Sequence, residues 1–148
     1  MVIEPMLEEI KDKKLLIAII VRSNYSKDGV SFFTPNDFSQ QLAFMKHSKG
    51  KTIEPHIHNK VERNVFLTQE VLFIKKGKLR VDFYDDEKKY LESRVLNSGD
   101  VILLAAGGHG FEVLEDLEMF EVKQGPYAGD KDKTRFNGVL KSRIILKD

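Results

Sequence analysis

Two of the chain's four histidines stand two residues apart in the stretch GKTIEPHIHNK, residues 50–60, just behind Pro55. In an extended strand, residues two apart project from the same face, about 6–7 Å from one another. The imidazoles of His56 and His58 can therefore converge on one ion, while Ile57 between them faces another layer. Pro55 donates no backbone hydrogen bond and suits the first residues of a strand or an edge. Imidazole pairs suit divalent transition metals, which usually take a third and a fourth protein ligand. His47 and His109 are the remaining histidines. The same pair without a metal can hydrogen-bond a ligand or move protons.

Such residues need a rigid frame, and the pattern along the chain predicts an all-β one. LLIAIIV at residues 15–21 and VILLAA at residues 101–106 are apolar throughout, as in buried strands. KLRVDFYD alternates, with Leu79, Val81 and Phe83 on one face and Arg80 and Asp82 on the other. VSFF, QLAFMKH, EVLFI and YLESRVL read as further short strands, KKG, DDEKK and NSGD as turns, and GFEVL with EMFEVKQG as a closing hairpin. MLEEIKDKK at the start reads as a short helix or a frayed arm. The expected organisation is one domain over residues 1–148: an N-terminal arm, 1–14, a barrel body, about 15–125, and a C-terminal tail, 126–148. The tail is charged apart from RIIL and is expected to wrap the barrel or a partner subunit, or else to stay disordered.

Composition excludes several function classes. The chain has no cysteine, so disulfides, thiolate metal sites and cysteine nucleophiles are absent. Basic and acidic side chains nearly cancel, with a formal net charge of +1, which argues against nucleic-acid and membrane partners. The longest apolar run is too short to span a bilayer and no cleavage site follows it. A cytoplasmic protein is expected. GG in AAGGHG is not a phosphate loop, since the Lys-Ser/Thr ending is missing.

These residues resemble the motifs of the cupin superfamily. Gly50 precedes His56 by five intervening residues and Glu70 precedes Gly77 by six, as in the first cupin motif. GDVILLAAGGHGFEV, with Gly99, Gly107 and His109, is similar to the second. The resemblance implies a double-stranded β-helix, or jelly-roll barrel, with short terminal extensions. It implies His56, His58, Glu70 and His109 as ligands of a divalent transition metal (Fe, Mn, Ni, Cu or Zn), and a homodimer. Glu62 is the alternative carboxylate. Eleven residues separate His58 from Glu70, so the stretch between must loop out and return Glu70 in register.

The implied function is binding of, or action on, a small polar molecule such as a sugar or sugar nucleotide, with an isomerase or oxygenase as the enzyme class. GGHGFEVLED and EVKQGPY look like a cupin subgroup associated with surface-carbohydrate biosynthesis. Two alternatives stand beside this: a metal-free isomerase or epimerase with a histidine base and Tyr127 or another tyrosine as acid, and a non-catalytic binding module. Arg63 is read as a solvated arginine before an anion binder, and His47 as structural or exposed. Alternation puts Glu121 and Lys123 on one face of the last strand.

Overall fold

In the computed structural model, residues 6–148 are described. Residues 1–5 of the expected arm lie outside them. In chain order the strands are β1 (Leu7–Asp12), β2 (Leu15–Val21), β3 (Gly29–Phe32), β4 (Ala43–Lys46), β5 (Glu70–Tyr84), β6 (Tyr90–Asn97), β7 (Val101–Leu104) and β8 (Gly108–Lys123). Two 3-10 turns, Gly129–Asp132 and Lys141–Arg143, are the helical residues among those described. One antiparallel sheet runs β1-β2-β7-β5-β6, and β8 lies along the other side of β5. β3 and β4 form a separate hairpin.

The long strand β5 organises the rest. Glu70–Phe73 pairs with β7, Lys78–Tyr84 pairs with β6, and β8 follows β5 from one end to the other. The register shifts around Lys76 and Lys78. There the buried parity changes from Leu72 and Ile74 to Leu79, Val81 and Phe83, as an inserted residue requires. Gly77 sits at this bend with φ +91°, and a Cβ on it would lie 2.1 Å from the Asp116 carbonyl oxygen. Only glycine allows both that backbone angle and that approach of β8. The sheet thereby curls into a half-barrel.

Two apolar clusters explain the continuous apolar runs. Ile17, Ile20, Ile102 and Leu104 join Leu72, Ile74, Leu79, Val81 and Phe83 inside the curl. Ile19, Val21 and Leu103 face the other way, against Tyr25, Phe33, Phe38 and Leu42. β2 and β7 are thus covered on both faces, and apolar residues at successive positions are what that demands.

The structure differs from the sequence expectation at four places. Residues 7–12, expected as helix or frayed arm, form β1. Its buried positions are Glu8 and Ile10, and Glu8 is tolerated inside because Arg22 donates to both its oxygens at 2.7 and 3.1 Å. Arg94 adds a bond to Glu8 at 3.1 Å, and Arg22 also reaches Asp100 at 3.0 Å. EVLFI and KLRVDFYD are one bent strand, not two, because β8 pairs across the KKG segment. GFEVL and EMFEVKQG are likewise one strand. Residues 47–69, expected to carry the strand of His56 and His58, form no strand among the described residues; no neighbour supplies a hydrogen-bond ladder.

The tail packs on its own body. Phe136 meets the Tyr84 ring edge-on with centroids 5.0 Å apart, and Val139 donates its N–H to the Tyr84 hydroxyl at 2.9 Å. Further along, Ser93 donates to the Ile145 carbonyl at 2.8 Å and Lys147 donates to the Ser93 carbonyl at 3.0 Å. These bonds occupy the outer edge of β6.

Candidate functional site

Glu70 opens β5 and His109 is the second residue of β8. In a flat hairpin they would stand at opposite ends, since Glu70 pairs with Lys123 and His109 with Phe83. Because both strands bend, the ends fold over one another. His109 Nε2 then lies 3.3 Å from Glu70 Oε2. Lys123 Nζ completes the cluster, 2.9 Å from Glu70 Oε1 and 3.0 Å from Glu121. The alternation of Glu121 and Lys123 therefore resolves to the inward face.

The electrostatics follow from these contacts. The hydrogen bond from His109 holds the Glu70 carboxyl down at about 2, from an ordinary 4.5; the Lys123 contact adds to this and partial burial opposes it. Lys123 is raised above its ordinary value by Glu70 first and Glu121 second. Glu70 is therefore a carboxylate at any physiological pH. With Glu70 accepting the Nε2 proton, a neutral His109 keeps its lone pair on Nδ1, free for a ligand or a proton.

Glu70 and His109 stand in the wall of a cleft of about 530 Å³. Its rim carries Lys88, Lys133 and Arg135, with Tyr84 and Phe136 as the apolar side. Thr68 and Asp132, bonded to each other, close one edge and tie the tail to the root of β5.

The other expected site residues lie elsewhere. His56, His58, Glu62 and Arg63 are exposed in the arm between β4 and β5, as is His47. The His56 and His58 rings are neighbours, 5.2 Å apart, and His56 Nδ1 bonds the Glu54 carbonyl at 3.0 Å. Arg63 reaches no further than the Val61 carbonyl, at 3.4 Å. Tyr127 is 93% exposed and does not line the cleft. The four implied metal donors thus form two separate pairs. Among the described residues, no three His, Asp or Glu side chains of one chain are grouped to hold an ion. The donor types suit a divalent transition metal, and here they stand as the two pairs His56–His58 and Glu70–His109.

Sequence reading missed Tyr84, Lys88 and Arg135. Tyr84 ends the alternating run that was read correctly, so its position at the strand end was the available signal. Lys88 and Arg135 come from a turn and from the tail, where no periodicity points to a site.

Fold and site together define an all-β half-barrel with a histidine–carboxylate pair in a cation-rimmed cleft. No family model matches the chain, and neither a curated protein nor a solved structure does.

Proposed function

We propose that this chain is a cupin-type jelly roll that takes a small polar molecule, of the sugar or sugar-nucleotide class, in the Glu70–His109 cleft. The observation that carries this reading is the 3.3 Å contact between those two side chains on the cleft wall. The rim cations Lys88, Lys133 and Arg135 suit a phosphate or carboxylate, and the Tyr84 and Phe136 rings suit a sugar face or a base.

His109 is the proton carrier in this reading. Its Nδ1 lone pair takes a proton from a carbon beside a carbonyl, leaving the electron pair on that carbonyl oxygen as an enolate. The imidazolium so formed lies against the Glu70 carboxylate, which stabilises it. Return of the proton from His109 to the neighbouring carbon gives an isomer, and return to the same carbon after the enolate has turned its other face to His109 gives an epimer. No external oxidant or reductant is required. Glu70 is the positioning residue, and Lys123 keeps it ionised.

Binding is tested by thermal shift with nucleoside diphosphate sugars, and proton transfer by deuterium uptake into the sugar from D₂O. The reading expects a rise in Tm and exchange that His109→Ala abolishes and Glu70→Gln slows by about 10²-fold or more. No shift and no exchange across the panel would contradict it. A second reading, a divalent-metal cupin, draws on the adjacency of the His56 and His58 rings. It requires those rings to reach Glu70 and His109.

A further inference from the structure

The geometry points to a site completed between two copies of this chain: the arm of one copy adds as a strand to the free edge of β8 in the other, bringing the partner's His56 and His58 to this chain's Glu70–His109 pair. The metal part of this inference rests on the second reading above; the strand exchange does not.

The half-barrel has an open edge at β8. β8 pairs with β5 on one side, and among the described residues no strand pairs on its other side. His109, Phe111 and Val113 stand opposite Phe83, Val81 and Leu79, three interior positions that are fully buried. Yet Phe111 is 42% and Val113 57% exposed. An inward-facing apolar row with its N–H and C=O groups open calls for another strand.

The arm has the pattern of that strand. Residues 45–67 are exposed without a break. Every hydrogen bond found for residues 47–67 is local, within three residues. From Ile53 to Val61 the odd positions Ile53, Pro55, Ile57 and Val61 are apolar, Asn59 aside. The even positions Glu54, His56, His58 and Lys60 are polar. That is the period of a strand buried on one face. A stretch this long without structure, carrying apolar residues such as Ile57 at 86% exposure, is not a solvated loop by composition.

Charge and register select a second copy as the occupant. Residues 46–63 hold five Lys or Arg against two Glu, while β8 holds five acids against one lysine. Two β8 edges paired with each other would set like charges together, whereas arm on β8 sets opposite ones. In antiparallel register with His58 opposite His109, the even positions of the arm share the inward face of β8, His56 opposite Phe111 and Glu54 opposite Val113, while on the other face Ile57 falls opposite Gly110, Ile53 opposite Leu114, Lys51 opposite Asp116 and Lys49 opposite Glu118. The arm's root is fixed on its own body at Thr68 and Gln69. Gln69 accepts the Gln124 N–H at 3.0 Å through its carbonyl and the Gln40 N–H at 3.0 Å through its side chain. The arm leaves its own sheet from that root, and reciprocal exchange between two copies satisfies both β8 edges by one symmetry operation.

The test uses the full-length chain, native mass spectrometry, and Co²⁺ absorption as the metal probe. Wild type is expected as a dimer. Replacing residues 51–67 by a short Gly-Ser linker is expected to give a folded monomer, checked by circular dichroism. A monomeric wild type, or a dimer that survives loss of the arm, overturns the exchange. Should the linker variant fail to fold, the Lys49→Glu/Lys51→Glu arm, whose charges then oppose β8, must weaken the dimer by about tenfold or more; an unchanged dimer overturns it equally.

For the site, two differently tagged copies are co-expressed, one with His56→Ala/His58→Ala and one with Glu70→Gln/His109→Ala. Neither binds Co²⁺ alone. The mixed dimer is expected to recover about half the wild-type Co²⁺ per chain, since one intact composite site forms. No recovery, with wild type binding normally, shows that each arm serves its own chain and overturns the composite site. An arm-dependent dimer that binds no Co²⁺ in any form upholds the exchange and defeats the metal reading alone.

Discussion

The body and the arm each hold two of the four side chains that the motif resemblance joins, and they hold them differently. Glu70 and His109 are set by two bent strands, by Gly77 at the bend and by Lys123 behind the carboxylate. In the body, no described side-chain polar atom that is buried lacks a hydrogen-bond partner. His56 and His58 are set by nothing beyond their neighbours in the chain. The same residue types with motif-like spacing thus become a built pair in one region and a free pair in the other. Spacing selects which side chains share a face; a paired neighbouring strand decides where that face points.

The comparison can be broken most severely at the charges that lock β1 to the body. Arg22→Met leaves Glu8 and Asp100, both buried, without their main partner. We expect a loss of about 3–5 kcal/mol in urea unfolding. A loss under about 1 kcal/mol would show that the network is a solvated surface feature. Next comes the bend. Gly77→Val places a β-branched side chain at a positive φ and against the Asp116 carbonyl, which should cost on the order of 3 kcal/mol. It should also part Glu70 from His109. A variant of wild-type stability would mean that β5 and β8 are not held by this approach.

Acid sharpens the contrast. Glu70 titrates at about 2 when folded, against an ordinary 4.5. A depressed carboxyl contributes stability that is complete above the ordinary value and is lost as pH falls from about 4.5 through about 2. Glu70→Gln should remove up to about 3 kcal/mol of stability at neutral pH and flatten the pH dependence in that window. Equal acid slopes for wild type and variant would deny the contact. The smallest effect is expected in the arm: His56→Ala/His58→Ala should change the unfolding free energy of the full-length chain by less than about 0.5 kcal/mol, measured at a dilution where any dimer dissociates.

Much of the fold was legible. LLIAIIV and VILLAA announced the strands buried on both faces, and KLRVDFYD announced its own inside and outside correctly. β1 was hidden because its inward position, Glu8, is charged, and it is buried only by virtue of arginines at positions 22 and 94. The length of β5 and β8 was hidden because glycine and lysines at the bend read as a turn. The site was half legible. Glu70 and His109 were found through motif spacing, although their contact depends on a parity change that spacing does not encode. The arm kept the alternation of a strand with no partner inside its own chain to realise it. Lys88 and Arg135 reach the cleft from a turn and the tail, where tertiary packing alone decides.

The most direct test of the built pair is the tautomer of His109, read from long-range ¹H–¹⁵N correlations in uniformly labelled protein at pH 8. The account predicts that the neutral ring carries its proton on Nε2, directed at Glu70, and that this pattern changes in Glu70→Gln. An Nδ1-protonated ring, or a spectrum that Glu70→Gln leaves untouched, would contradict it.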